Sequence, residues 1–89
     1  MLYPYMTLED DTEIVHSEMD GEGKVSVCIE RPVEGGFHSA TCELPSYRWK
    51  DVDGFTEDDL NSFKEIIEKG AHLILRYAQS GGFLNASNF

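Results

Sequence analysis

Positive charge is what this sequence has least of. Seven Lys or Arg stand against 17 Asp or Glu, for a formal net charge of −10. The cations are spread singly, from Lys24 to Arg76, and form no basic patch. Direct binding to a phosphate backbone, which needs such a patch, is therefore excluded. Cysteine is scarce too: Cys28 and Cys42 stand alone, with no CxxC and no histidine at zinc-like spacing. They read as two small hydrophobes, not as a disulfide or a metal site. No uncharged apolar run approaches the roughly 18 residues of a membrane-spanning helix. The opening MLYPYMTLEDD lacks the basic start and apolar stretch of a signal peptide, so a cytoplasmic, unprocessed protein is expected. Phosphate-binding glycine loops, nucleophile elbows and HExxH are all missing. Neither a metal nor an organic cofactor is expected.

What is present suffices for one core: 40% of the 89 residues are apolar. The reading is a single α+β domain over residues 1–82, followed by a tail, FLNASNF (83–89), that should fray. In the first half, turn signals recur at EDDT (9–12), DGEG (20–23) and VEGG (33–36). The segments between them alternate or are β-branched, which predicts four short strands in an antiparallel meander.

A register follows from the turns. Val25 opposite Leu44 brings Val27 to Cys42 and Ile29 to Ala40. A three-residue turn at Gly21–Gly23 would set Met19 opposite Val25 and Val15 opposite Ile29. A two-residue turn at Asp10-Asp11 would set Met6 opposite Val15 and Leu2 opposite Met19. The core face then collects Leu2, Met6, Leu8, Val15, Met19, Val25, Val27, Ile29, Ala40, Cys42 and Leu44. The reverse face carries Tyr3, Tyr5, Ile14, His16 and Cys28. Residues 45–54, PSYRWKDVDG, read as an irregular crossing, with Tyr47 and Trp49 covering an end of the core.

The second half reads as one long helix. Thr56 is an N-cap with Glu57, Asp58 and Asp59 behind it, and Asp59 stands where a capping box prefers Glu or Gln. Phe55 and Leu60 are spaced for a hydrophobic staple, and Gly81-Gly82 supplies a left-handed stop. Gly70 falls inside the apolar stripe of Leu60, Phe63, Ile67, Ile74 and Tyr77. A glycine there costs about 1 kcal/mol of helix propensity but allows close approach to the sheet. The architecture is thus β-β-β-β-α, the helix packed on one sheet face.

Chemistry-bearing residues are few. Asp51-Val52-Asp53-Gly54 is a fragment similar to a calcium loop, but the closing position holds Ser62. His72 reads as surface and His38 as a strand start. His16, beside Tyr5 and near Cys28, could do acid–base or thiol work, yet nothing supplies an orienting carboxylate or an oxyanion hole. Not an enzyme is the expectation, with a small His/Tyr/Cys enzyme or ligand-binding domain as the alternative.

The stretches MLYPYMTLEDDTEIVHSEM, ERPVEGGFHSATCELPSY and AHLILRYAQSGG resemble a family of short uncharacterised bacterial proteins. That resemblance implies a bacterial, cytoplasmic protein and no assigned activity. The opening hairpin is also similar to that of HicB-type antitoxins, without the glycine-aromatic and proline-glycine-cysteine pattern that follows in them.

The functional expectation is a small acidic module that binds a basic protein partner, antitoxin-like or mimicking nucleic acid, as monomer or homodimer. Its expected contact surface is Tyr3, Tyr5, Ile14 and His16, flanked by Glu9, Asp10, Asp11 and Glu13. Aromatics would anchor the partner and carboxylates would speed its encounter.

Overall fold

The computed structural model describes residues 1–79. The Gly81-Gly82 stop and the 83–89 tail lie outside the described residues. Five strands come first: β1 (Leu2–Thr7), β2 (Glu13–Ser17), β3 (Val25–Val33), β4 (Gly36–Leu44) and β5 (Arg48–Asp53). One helix follows, α1 (Glu57–Gln79). The strands form a single antiparallel meander in sequence order, and α1 covers one face of it. The α+β class, the antiparallel sheet and the helix after it are as the sequence indicates; the strand count is five, not four. β5 arises from the stretch read as irregular. Its residues lack the alternation that marks a strand, because five of the six are exposed and Trp49 alone turns toward the core. Asp51, at φ 54°, sits where the β4–β5 register shifts.

The β3–β4 register is the one the turns predict, with Val25 opposite Leu44, Val27 opposite Cys42 and Ile29 opposite Ala40. The β2–β3 register is not. Ile14 lies opposite Ile29 and His16 opposite Val27, one residue from expectation. The three-residue turn does form, since the amide of Asp20 donates to the carbonyl of Lys24 at 2.9 Å. Between that turn and β2, however, the Met19 amide leaves the ladder for the carbonyl of Ala78 in α1, at 3.4 Å. The Ser17 hydroxyl accepts the Ser26 amide at 2.9 Å in place of a backbone group. This irregularity slips β2 by one residue and exchanges its two faces.

β1 follows the slip. The first turn spans Glu9-Asp10-Asp11, closed by the Leu8 amide on the Thr12 carbonyl at 2.8 Å. It is a three-residue loop with Asp11 in the left-handed position at φ 67°, the geometry such loops favour, and not the two-residue turn expected. An irregularity between Pro4 and Met6 then shifts the register by one more residue, so that Tyr3 faces His16 and Leu2 faces Ser17. Leu2 and Met6, expected inside, are 55% and 40% exposed. Val15 is half-buried on the open side.

The core lies between sheet and helix. Ile14, Val25, Val27, Ile29, Ala40, Cys42 and Leu44 meet Phe63, Ile67, Ile74 and Ala78 of α1, with Phe55 closing one end. Leu8, Met19, Tyr47 and Trp49 pack around this cluster. The helix begins with a complete capping box. The Asp59 amide donates to Thr56 Oγ1 at 3.2 Å, and the Thr56 amide donates to Asp59 Oδ2 at 3.0 Å. Aspartate thus does what the sequence assigns preferentially to Glu or Gln. Gly70 is buried, and a Cβ there would run into the Tyr5 hydroxyl and lie 2.9 Å from Tyr5 Cζ. The glycine is a slot for that ring, which answers why a helix carries its weakest former at mid-length.

Candidate functional site

Four of the eight expected contact residues sit on the wrong side of the sheet to meet a partner. Ile14 and His16 are 1% and 0% exposed beneath α1. The His16 Nδ1–H donates to the Ser17 carbonyl at 2.8 Å, while Nε2 is buried without a partner among the described residues. Tyr3 lies over the imidazole with ring centroids 5.7 Å apart. Burial, then the charge of Glu18 and a hydrogen bond to it, push the Tyr3 hydroxyl above its ordinary pKa. Tyr5 is half-buried, its hydroxyl lodged against Gly70. These residues are brought together as expected, but as core and core margin. Cys28 lies opposite Val15 and Thr41 on the open face, so the sheet itself separates its thiol from His16.

The acidic half divides in two. Asp10 is a structural group: it accepts from the Thr12 amide at 3.1 Å and the Thr12 hydroxyl at 2.6 Å, and pairs with Arg31 Nε at 3.1 Å. Arg31 Nε also donates to Thr12 Oγ1 at 3.0 Å, and Nη1 approaches Asp59 at 3.7 Å. The guanidinium lies 5.2 Å from the centre of the Phe55 ring and 5.5 Å from that of Phe63. One arginine therefore ties the β1–β2 turn to the helix N-terminus. The Thr12 hydroxyl and amide, with Arg31 beside them, hold the Asp10 carboxyl below its ordinary pKa. The Thr56 amide does the same first for Asp59, again with help from Arg31. Glu9, Asp11 and Glu13 remain exposed.

The open face of the sheet holds a different constellation. Pro4, Val15, Cys28, Thr41 and Lys50 form one cross-strand row. Thr7, Glu13, Glu30, Ser39 and Asp53 form the next. Two shallow depressions flank the second row. One, of about 200 Å³, is lined by Leu2, Glu13, Val15, Cys28 and Glu30. The other, of about 500 Å³, is lined by Thr7, Asp11, Glu13, Glu30, Pro32 and Phe37. Glu13 and Glu30 belong to both, so the depressions make one groove along β2 and β3 with two carboxylates at its middle. Phe37, 62% exposed, stands at one end and Leu2 at the other. Of these, the sequence singles out only Glu13 and Asp11 as contact residues. Glu30 and Val15 become legible once the β2–β3 register is known; Phe37 carries no signal beyond its place beside a turn.

Among the described residues, no three His, Cys, Asp or Glu side chains converge as a metal-ligand set would. No described helix is long and apolar enough to cross a membrane. No family model matches the chain, and neither a curated protein nor a solved structure is matched. The functional reading therefore rests on the geometry of the chain itself.

Proposed function

We propose that this protein is a non-catalytic module that binds a basic protein partner, in the cytoplasm, through the open face of its sheet. The observation that carries this reading is the groove along β2 and β3, where exposed apolar side chains surround two carboxylates. Apolar surface left bare beside a polar rim marks interaction sites on small domains. A net charge of −10 selects a cationic partner and disfavours self-association through the same acidic face. The contact surface differs from the one the sequence suggests: Glu13 and Asp11 stay, while Tyr3, Tyr5, Ile14 and His16 leave it.

The test is to pan a random peptide library against the protein and map the selected ligands by amide chemical-shift changes. Enrichment of Lys or Arg together with apolar residues is expected, with shifts centred on residues 13–15 and 28–32. Ligands without cationic enrichment, or shifts centred on the exposed side of α1, would overturn the proposal.

A further inference from the structure

Glu13 and Glu30 are directly opposite one another in the β2–β3 ladder. Like charges in that position repel across about 5 Å and weaken the sheet. Elsewhere on the same face Glu43 is neutralised: it lies opposite Arg48 and pairs with Lys50 at 3.8 Å. Glu13 and Glu30 are not. Their next neighbours across the ladder are Thr7 and Ser39, and among the described residues neither carboxylate makes an ion pair.

We infer that the Glu13–Glu30 pair is a socket for one arginine of an extended partner segment. This rests on the module reading above and gives that partner a sequence pattern. A guanidinium offers five donors in a planar fork and can bridge two carboxylates, whereas an ammonium acts as a point charge. Phe37, exposed at one end of the groove, supplies a ring face for the same cation. At the other end Leu2, Val15 and Cys28 line an apolar depression. The groove follows the strand axes, and Cys28 to Pro32 spans about 13 Å, room for about four extended residues. Alternate side chains of an extended segment point to one side, so the pattern is an apolar residue, any residue, then arginine.

The experiment uses a short peptide in which valine, serine and arginine follow in that order between serine flanks. Its partner peptide carries citrulline, the uncharged isostere, in place of arginine. Affinity and amide shifts are measured with the intact protein and with Glu13→Gln, Glu30→Gln and, as a remote control, Glu65→Gln on the exposed side of α1. The expected result is about tenfold weaker binding of the citrulline peptide, the size of one lost charge-assisted contact. Glu13→Gln and Glu30→Gln should weaken the arginine peptide to a similar extent, while Glu65→Gln should not. Glu30→Gln should also raise the melting temperature by more than Glu65→Gln does, since it relieves a repulsion as well as lowering net charge. If both peptides shift the groove amides with equal affinity, the socket is wrong and the module reading stands. If neither peptide shifts them, both fall. Equal weakening by Glu65→Gln would mean a diffuse field and not a socket, and a lower melting temperature in Glu30→Gln would make the pair structural; either overturns the inference.

Discussion

The two faces of this sheet are built to different standards. On the covered face every large side chain has a seat: the Tyr5 ring takes the space left by Gly70, His38 packs against Gly54 and edge-on to Phe55, and Arg31 joins a turn, a cap and two aromatic rings. On the open face an acidic pair stands unneutralised among bare apolar groups. The covered face leaves ring nitrogens of His16 and His38 without partners among the described residues, whereas the open face sets two whole carboxylates opposite each other. A rule broken in that way marks a place where something besides folding is at stake.

That contrast is most directly broken by truncating neighbours in β2. Ile14→Ala removes a core side chain and should cost about 2–5 kcal/mol. Val15→Ala, one residue on and on the open face, should cost about 0.5 kcal/mol or less. For a domain of this size each kcal/mol lowers the melting temperature by about 4–8 °C, so thermal denaturation separates the two. A larger loss for Val15→Ala than for Ile14→Ala would mean that β2 is paired in the register the sequence alone suggests.

A smaller effect is expected at Arg31. Arg31→Met keeps the aliphatic cover on Phe55 and Phe63 but forfeits the guanidinium bonds, for a loss of about 2 kcal/mol at neutral pH. The acid limb carries the sign. The Asp10 and Asp59 carboxyls are depressed in the folded state, so their contribution is fully present above their unfolded pKa and fades as pH falls through the folded value. The gap in melting temperature between wild type and Arg31→Met should therefore hold at neutral pH and narrow below about pH 4. It should not close through loss of the mutant's own acid sensitivity, because the Thr12 and Thr56 hydrogen bonds remain as causes.

At Gly70 the net effect is smaller than at Arg31. Alanine gains about 1 kcal/mol of helix propensity but expels the Tyr5 hydroxyl, at an overpacking cost of about 1–3 kcal/mol. A net loss of about 1 kcal/mol is expected. Adding Tyr5→Phe, which deletes the obstructing oxygen, should recover part of it in a double-mutant cycle. Strict additivity of the two changes would place Tyr5 elsewhere.

The sequence discloses these two faces unequally, for physical reasons. β3 and β4 were legible because an uninterrupted alternation runs into a tight turn, with Gly35 free to adopt φ 86°. The helix was legible from its cap and stripe, and Gly70 from its place in that stripe. β2 was not, because Ile14 and Val15 are adjacent and either can point inward. The deciding group, the Met19 amide, bonds to a helix nearly sixty residues away. His16 misleads by its polarity: the next carbonyl takes its Nδ1–H, and the ring is buried even though Nε2 finds no partner among the described residues. β5 is an edge strand whose Arg48, Lys50, Asp51 and Asp53 point to water, so no apolar period announces it. The candidate site inherits the β2 error: with that strand reversed, an acidic ladder is read as an aromatic patch.

The order of elements along the chain has a consequence for synthesis. All five strands leave the ribosome before α1, so the meander can pair while the face that will become the core has no lid. At about 5–20 residues per second, the residues of α1 take on the order of seconds to be added. Throughout that interval Val25, Val27, Ile29 and Leu44 stand bare on a nascent sheet that is sticky and unfinished. The strongly acidic chain is suited to the wait, because like-charged nascent copies on one messenger repel each other before the helix arrives.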